Sequence, residues 1–506
     1  MRILQRHFPT VKWLVTNPPT RGTLGLQSSE VHLEFDKERQ ACLKSLSFDN
    51  LRYHNIANSH EHTLGWFLEC DEYNAWISSE HSCMLFIEGK PGSGKSTLMR
   101  FFRDKFVSNL GSESDILADF FYSARDGELH RSHDSMLITL LHDILKADAT
   151  FFVHFQKDFR DLTRGSEGVV KWPYKTLKDV LLACSKHQAR VKLVLIVDAM
   201  DESEDTERQD IVTLLWGLAS STAGACVKVL LASRPINERP VGFDSGCQRI
   251  LLQEKNKKDI GNYTRAFLGD LSFGLDQEII AEAKEYIIAH ADGVFVWVHL
   301  IEKELKNFLQ KGPNATELMK HLQSLPRDLE KYYEFMLQGM ESNKQSEVEQ
   351  GKRILQFCLF SHRPIGLLEL HHALAVPLAE HQHSTNFKKK LSIDIRGLLT
   401  HCVGHFLEIK TIPGYEGGWE FVQVMHQTVR EFFLRPQVSV KFYTTANEAG
   451  TMIRLTCARY LLICLEEIRR ISDLPVRPKD WNQHAFVLAC RYLDKRMFFE
   501  YSLEYL

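Results

Sequence analysis

From Leu46 to about Leu252 the chain alternates between short, almost wholly apolar runs and longer amphipathic ones. The apolar runs are Met84–Ile87, Leu117–Tyr122, Lys192–Val197, Val227–Ala232 and Arg249–Leu252. Between them lie Ser96–Val107, Ser135–Leu145, Thr176–Cys184 and Gln209–Leu218, with the apolar spacing of a helix face. Strands apolar on both faces, alternating with helices, predict a parallel sheet covered on both sides, a three-layer α/β fold. After about Asn256 the period becomes helical throughout: Ile279–Ala289, Val294–Phe308, Ala315–Leu322 and, beyond Pro326, Leu329–Met340. The polar stretch Glu341–Gln350 reads as a linker or an exposed helix start. Ile354–Phe360, Pro364 and Leu367–Ala375 then suggest helix–turn–helix. Two strand-like runs follow, Gly404–Ile409 and Trp419–Val424, separated by Pro413-Gly414 and Gly417-Gly418. That is the layout of a small winged helix, and from about Asn447 the pattern is helical again.

Five segments result: an extension 1–45, an α/β domain 46–255, a helical domain 256–340, a winged-helix-like domain 345–440 and a helical segment 441–506. The extension contains one strand-like run, Val11–Val15, closed by Asn17-Pro18-Pro19. It resembles Val227–Pro235, and each is followed by a second apolar run, Val31–Phe35 and Arg249–Leu252. The match is either a coincidence of two strand–proline units or a leftover strand of a second α/β unit.

With 506 residues the chain has room for about three domains of ~150 residues each. Its 44% hydrophobic and 25% charged content is that of globular domains. The 62 Lys+Arg and 65 Asp+Glu leave a net charge of −3, which excludes a strongly basic nucleic-acid coat. No apolar run approaches the ~20 residues of a membrane span, and Arg2, Arg6, His7 and Lys12 interrupt any signal-peptide core. The 11 cysteines form no C-x-x-C pair, so reduced thiols in a cytoplasmic protein are expected rather than disulfides or zinc. His371-His372 and His381–His383 lack the spacing of a zinc site.

The chemistry concentrates at Gly89-Lys90-Pro91-Gly92-Ser93-Gly94-Lys95-Ser96-Thr97, a full G-x-x-x-x-G-K-[ST] between an apolar strand and a helix. In such a loop, successive backbone N–H groups converge on phosphate oxygens at a helix N-terminus. Lys95 can neutralise the β- and γ-phosphates and Ser96 can bind Mg²⁺. A second apolar strand ends in Asp198, the candidate metal acid, followed by Asp201 and Glu202, either of which could orient and deprotonate an attacking water. A third ends in Arg234, which the strand-end rule puts at the same edge, in reach of the γ-phosphate.

At these residues the chain resembles a fungal NACHT-type signal-transduction NTPase of the STAND class, whose P-loop domain is also described as nephrocystin-3-like. The resemblance runs from about Glu38 to the end. It rests on Leu46-Ser47-Phe48 with Arg52, Ile56 and Ala57, on Thr63, Trp66 and Leu68, and on Phe120–Arg125, Val197–Glu202 and Ala232–Pro235. Gly293–Val298, Leu325-Pro326 and Val424–Phe432 complete it. It implies that Pro326 touches the nucleotide base and that His426, in the winged helix, contacts the β-phosphate of ADP. Gln427 stands where related receptors have an acid. The implied mechanism is a switch, closed with ADP, open and oligomerising with ATP, and reset by slow hydrolysis. Relatives usually add an effector domain and a sensor array; here a compact core, or a truncated or rearranged relative, is expected.

The expected cofactor is Mg²⁺ with ATP/ADP, GTP/GDP remaining open, and the expected partners are proteins or further copies of the chain. A nucleotide-binding scaffold without turnover and a mechanical P-loop ATPase are the alternatives. Arg353, Arg363 and Lys388–Lys390 read as a solvated face, so nucleic acid is not expected.

Overall fold

The computed structural model describes residues 27–48, 51–110, 115–164, 170–187, 191–222, 224–236, 239–271, 277–377, 387–412, 419–436, 439, 441–471 and 482–505. The Val11–Val15 run, His381–His383 and the turn glycines near Pro413 lie outside them. The chain forms two compact units: Cys42–Gly366 with Arg396–Ala446, and Met1–Ala41 with Leu367–Ile395 and Asn447–Leu506.

In the larger unit, five strands, β1 (Cys83–Glu88), β2 (Asp115–Phe121), β3 (Lys192–Asp198), β4 (Cys226–Ser233) and β5 (Gln248–Leu251), form one sheet. All pairings are parallel, in the order β2-β3-β4-β1-β5. Each coincides with a predicted apolar run. Strands buried on both faces have no polar side to show, hence the continuous rather than alternating pattern. The register puts Glu88 opposite Ser233, and Phe121 opposite Asp198, so the functional strand ends form one edge. Helices Lys95–Lys105, His133–Ala147, Tyr174–Ser185 and Arg208–Ala219 lie between the strands in sequence, as expected. Ser132 caps the second by accepting from the Asp134 N–H at 3.2 Å. On one face of the sheet Phe67, Tyr73, Trp76 and Phe102, all nearly inaccessible, interlock at centroid distances of 5.0–6.1 Å.

The same unit continues through helices Lys257–Leu271, Gln277–His290, Phe295–Leu309, Ala315–Ser324 and Leu329–Glu341. The last begins just beyond Pro326 because Asp328 accepts from the N–H groups of Glu330 and Lys331, each at 3.0 Å. The polar stretch after it is a helix start: Gln345–Phe360 begins where Glu347 reaches back to the Lys344 N–H at 3.1 Å. A second, antiparallel sheet has β8 (Trp419–Val424) between β6 (Ile365–Gly366) and β7 (Leu407–Ile412). β7 starts later than predicted, because Gly404–Phe406 forms a single helical turn. Helix Gln427–Phe433 follows β8.

Val31–Phe35, the apolar run that follows the N-terminal self-match, lies inside helix Gln27–Ser45. Its surroundings are rich in Glu, Lys, Arg, Gln and Ala, whose helix propensity outweighs a short apolar run. The run therefore has no strand counterpart to Arg249–Leu252. No helix among the described residues is long and apolar enough to cross a membrane.

In the smaller unit, His372 (8% exposed) bonds through Nδ1 to the Tyr460 hydroxyl at 2.7 Å, with Phe387 packed on both rings. Burial, then the charges of His371 and Arg496, push its imidazole down to about 4. The unfolded chain takes up this proton near pH ~6.5, the folded one only near 4, so stability is complete above 6.5 and falls as the pH drops. His372→Asn, which can keep an acceptor near the Tyr460 hydroxyl, should lose about 2 kcal/mol less between pH 7 and 5 than the wild type in urea melts. Identical pH slopes would remove His372 as the cause.

Candidate functional site

The loop Gly89–Thr97 joins β1 to helix Lys95–Lys105 and forms the floor of a cavity of about 440 Å³. Gly92 and Gly94 take φ of 75° and 98°, which side-chain-bearing residues rarely adopt, so the loop turns its N–H groups inward. It is clamped from outside. Gln253 Oε1 accepts from the Lys90 N–H at 3.2 Å, Lys90 Nζ meets Asp292 at 2.5 Å, and the Val296 N–H donates to Gly92 O at 3.2 Å. Asn256, fully buried, donates from Nδ2 to the carbonyls of Ser93 (3.0 Å) and Gly293 (2.9 Å). Pro91 to Thr97 line the cavity. Lys95 Nζ donates to the carbonyls of Gly89 (2.8 Å) and Lys90 (3.1 Å). Burial lowers its pKa, and Asp201 and Asp198 pull it back up.

Asp198 is wholly inaccessible, and neither carboxylate oxygen has a hydrogen bond among the described residues. Burial pushes it up to about 6; Ser96 is the strongest opposing influence, without closing a bond on either oxygen. Two unmatched buried carboxylate oxygens beside a hydroxyl fit a hard divalent cation, which takes oxygen ligands. Directly after it, Ala199 adopts φ 53°, a strained conformation for alanine that starts the turn Met200–Glu202.

This turn separates the two candidate acids. Asp201 is occupied: Oδ1 accepts from the Arg234 N–H (3.0 Å) and Ser233 Oγ (3.3 Å), and Oδ2 pairs with Arg234 Nε at 2.9 Å. Among the described residues the Glu202 carboxylate accepts from the Ala124 N–H alone, at 3.1 Å through Oε2, and the side chain lines the cavity. Burial raises its pKa while Arg52 and Arg125 hold it down. Arg234 also lines the cavity, with its guanidinium shared between Asp201 and a bidentate contact to Glu431 (2.7 and 3.0 Å).

The later segment supplies the facing wall: Glu408, Lys410, Met425 and His426. His426 caps helix Gln427–Phe433; its Nδ1 accepts from the Thr428 N–H at 3.2 Å and contacts Thr428 Oγ1 at 2.8 Å. Nδ1 is thereby unprotonated, and the neutral ring carries its proton on Nε2. Burial first, then Arg125, Arg52, Lys95 and Arg234, keep the ring neutral by pushing its pKa well down. Pro326 does not line this cavity; its carbonyl accepts from Trp297 Nε1 at 2.8 Å.

Arg52, Arg125, Tyr263, His299, Glu408 and Lys410, none of which has a role predicted from the sequence, also line the cavity. Arg125 carried a usable signal. It follows β2 as Arg234 follows β4, and it donates to Val424 O at 3.0 Å. Arg52, on the short helix Leu51–Asn55, stands among the residues of the family resemblance but has no strand-end position to mark it as a ligand group. The cavity is lined by Arg52, Lys95, Arg125, Arg234 and Lys410 against Asp201, Glu202 and Glu408, an excess of cations that suits a polyanion.

Residues 62–234 match the family model described as nephrocystin 3, N-terminal. The vegetative incompatibility protein HET-E-1 of Podospora anserina is 23% identical over 320 residues, covering 62% of this chain and 23% of that protein. The azaphilone pigments biosynthesis cluster protein L of Monascus ruber is 29% identical over 164 residues, 32% of this chain and 33% of that one. The matched region thus spans a third or less of each relative. Among solved structures, the Aeropyrum pernix ORC1 protein in complex with DNA gives a TM-score of 0.31 at 11% identity, covering 77% of this chain and 94% of that one, a likeness too slight to build on.

Proposed function

We propose that this fungal NACHT-like P-loop NTPase is a nucleotide-controlled signalling switch in its closed conformation. The observation that carries the reading is the double wall of the cavity, with the phosphate loop on one side and Glu408, Lys410, Met425 and His426 on the other. A ligand with phosphates on Gly89–Thr97 would meet both, so its affinity would depend on whether the later segment is in place. In this reading 46–255 is the NTPase domain, 256–340 the helical domain, 345–440 a winged-helix-like domain and 441–506 a further helical segment. ATP/ADP is preferred as the ligand, with GTP/GDP open.

Each residue then has a task. Lys95 exchanges the loop carbonyls for phosphate oxygens, and His426 donates from Nε2 to the β-phosphate. Ser96 and Asp198 are the residues to hold Mg²⁺, which when bound neutralises phosphate charge. Glu202, rather than the occupied Asp201, orients the attacking water and takes its proton; its few protein partners leave it available. Arg234, between Asp201 and Glu431, ties the strand edge to the segment that carries His426.

The test follows from that tie. The wild-type protein should co-purify with a nucleoside diphosphate and scatter light as a small species, growing larger with a triphosphate. Glu431→Ala should weaken closure by about 1–2 kcal/mol, allowing for partial exposure of the pair, and shift the open fraction about 5–30-fold. Faster diphosphate loss and assembly at lower triphosphate concentration would be its signature. A constitutive ring with fast turnover would replace the switch by a motor.

A further inference from the structure

We propose that Arg52 is the residue that receives the terminal phosphate of a bound nucleoside triphosphate in this conformation. The inference rests on the nucleotide reading above and assigns to Arg52 a contact that the strand-end rule gave to Arg234. Arg52 is only 6% exposed and lines the cavity shared by Pro91–Thr97 and Glu202. Among the described residues its guanidinium has no hydrogen bond and no ion pair, and its Nε is buried without a partner. A buried, unmatched guanidinium is costly, and the group that would match it is an anion within the cavity.

The neighbours of Arg52 say which part of the ligand that anion is. Its charge stabilises the ionised forms of Asp198 and Glu202, the carboxylates at and just beyond the end of β3, so it stands near the metal and water positions. In a P-loop site those positions flank the γ-phosphate. The two other guanidiniums of the cavity are already engaged. Arg234 is shared by Asp201 and Glu431, while Arg125, though its Nε too is buried without a partner, donates from Nη1 to Val424 O and lies 3.9 Å from Glu408. The helix that carries Arg52, Leu51–Asn55, packs against β7, the strand that brings Glu408 and Lys410 to the same cavity. Arg52 is thus held in place by its helix yet left with its donors unused, the arrangement expected of a group awaiting a ligand.

The experiment compares calorimetric affinities of the full chain for ADP and for a non-hydrolysable ATP analogue, both with Mg²⁺, in wild type, Arg52→Ala and Arg52→Lys. Arg52→Ala should lose about 10–100-fold for the triphosphate and under about twofold for ADP, with Arg52→Lys between. The ligand-free Arg52→Ala protein should melt no lower than wild type, since the buried guanidinium closes no hydrogen bond or ion pair among the described residues and its desolvation offsets its longer-range attraction to Asp198 and Glu202. Equal loss for both nucleotides, no loss for either, or a lower melting temperature without discrimination would overturn the assignment. Wild-type protein that binds neither nucleotide would overturn the switch reading and this inference with it. Selective loss in Arg52→Lys alone would suffice if Arg52→Ala did not fold.

Discussion

Lys95→Ala is expected to remove nucleotide binding, lowering the affinity for ADP by about 10²–10³-fold. In the present conformation Lys95 Nζ donates to two carbonyls of its own loop, Gly89 O and Lys90 O. Those bonds keep a buried ammonium satisfied and aim it across the loop, where phosphate oxygens would replace the carbonyls. No other cation is set into the loop in this way. Lys90 is turned outward to Asp292, and Arg234 is held by Asp201 and Glu431. The variant should fold, because burial works against the lysine charge. Calorimetry with ADP decides the matter, and unchanged affinity would show that the loop does not bind phosphate.

Gly293→Ala should be strongly destabilising, costing about 3 kcal/mol or more in urea unfolding. Gly293 has φ 76°, and a Cβ there would lie 2.5 Å from Gln253 Cβ and 2.8 Å from both Gln253 Cα and O. The left-handed conformation alone costs an alanine about 1–2 kcal/mol, and the remainder comes from backbone that cannot move aside. The damage would spread to the phosphate loop. Gln253 accepts from the Lys90 N–H, and Asn256 bridges Gly293 O to Ser93 O. Gly217→Ala, inside helix Arg208–Ala219 with nothing within 4 Å, is the control and should be neutral or slightly stabilising. Equal midpoints for the two variants would contradict the packing argument.

The sheet and the loop were legible because β1 to β4 are buried on both faces and so almost wholly apolar, and because the glycine–lysine spacing is chemically constrained. Asp198 was legible from its place at a strand end. Less visible was anything set by distant partners. Whether Asp201 or Glu202 is available depends on Arg234 turning back onto Asp201, and the hold on Arg234 depends on Glu431, far along the chain. Helix Gln27–Ser45 hid behind the apolar residues of Val31–Phe35, and helices Lys257–Leu271 and Ile395–Val403 were not singled out. Arg52 showed no periodicity or strand-end position. Its significance comes from the partners it lacks, and a sequence does not display those.

Strand β8 is bonded on both edges, to β6 and β7, and leads through Met425 straight to His426. The Met425 N–H donates to Phe406 O at 2.9 Å, and His426 is itself the cap of the next helix. A residue seated between a central strand and a helix start has no slack. Taking the imidazole out of the cavity means either breaking its own helix cap or displacing the three strands as a block. Intermediate withdrawal is therefore the expensive path, and the segment should respond to its ligand in a single step rather than by degrees.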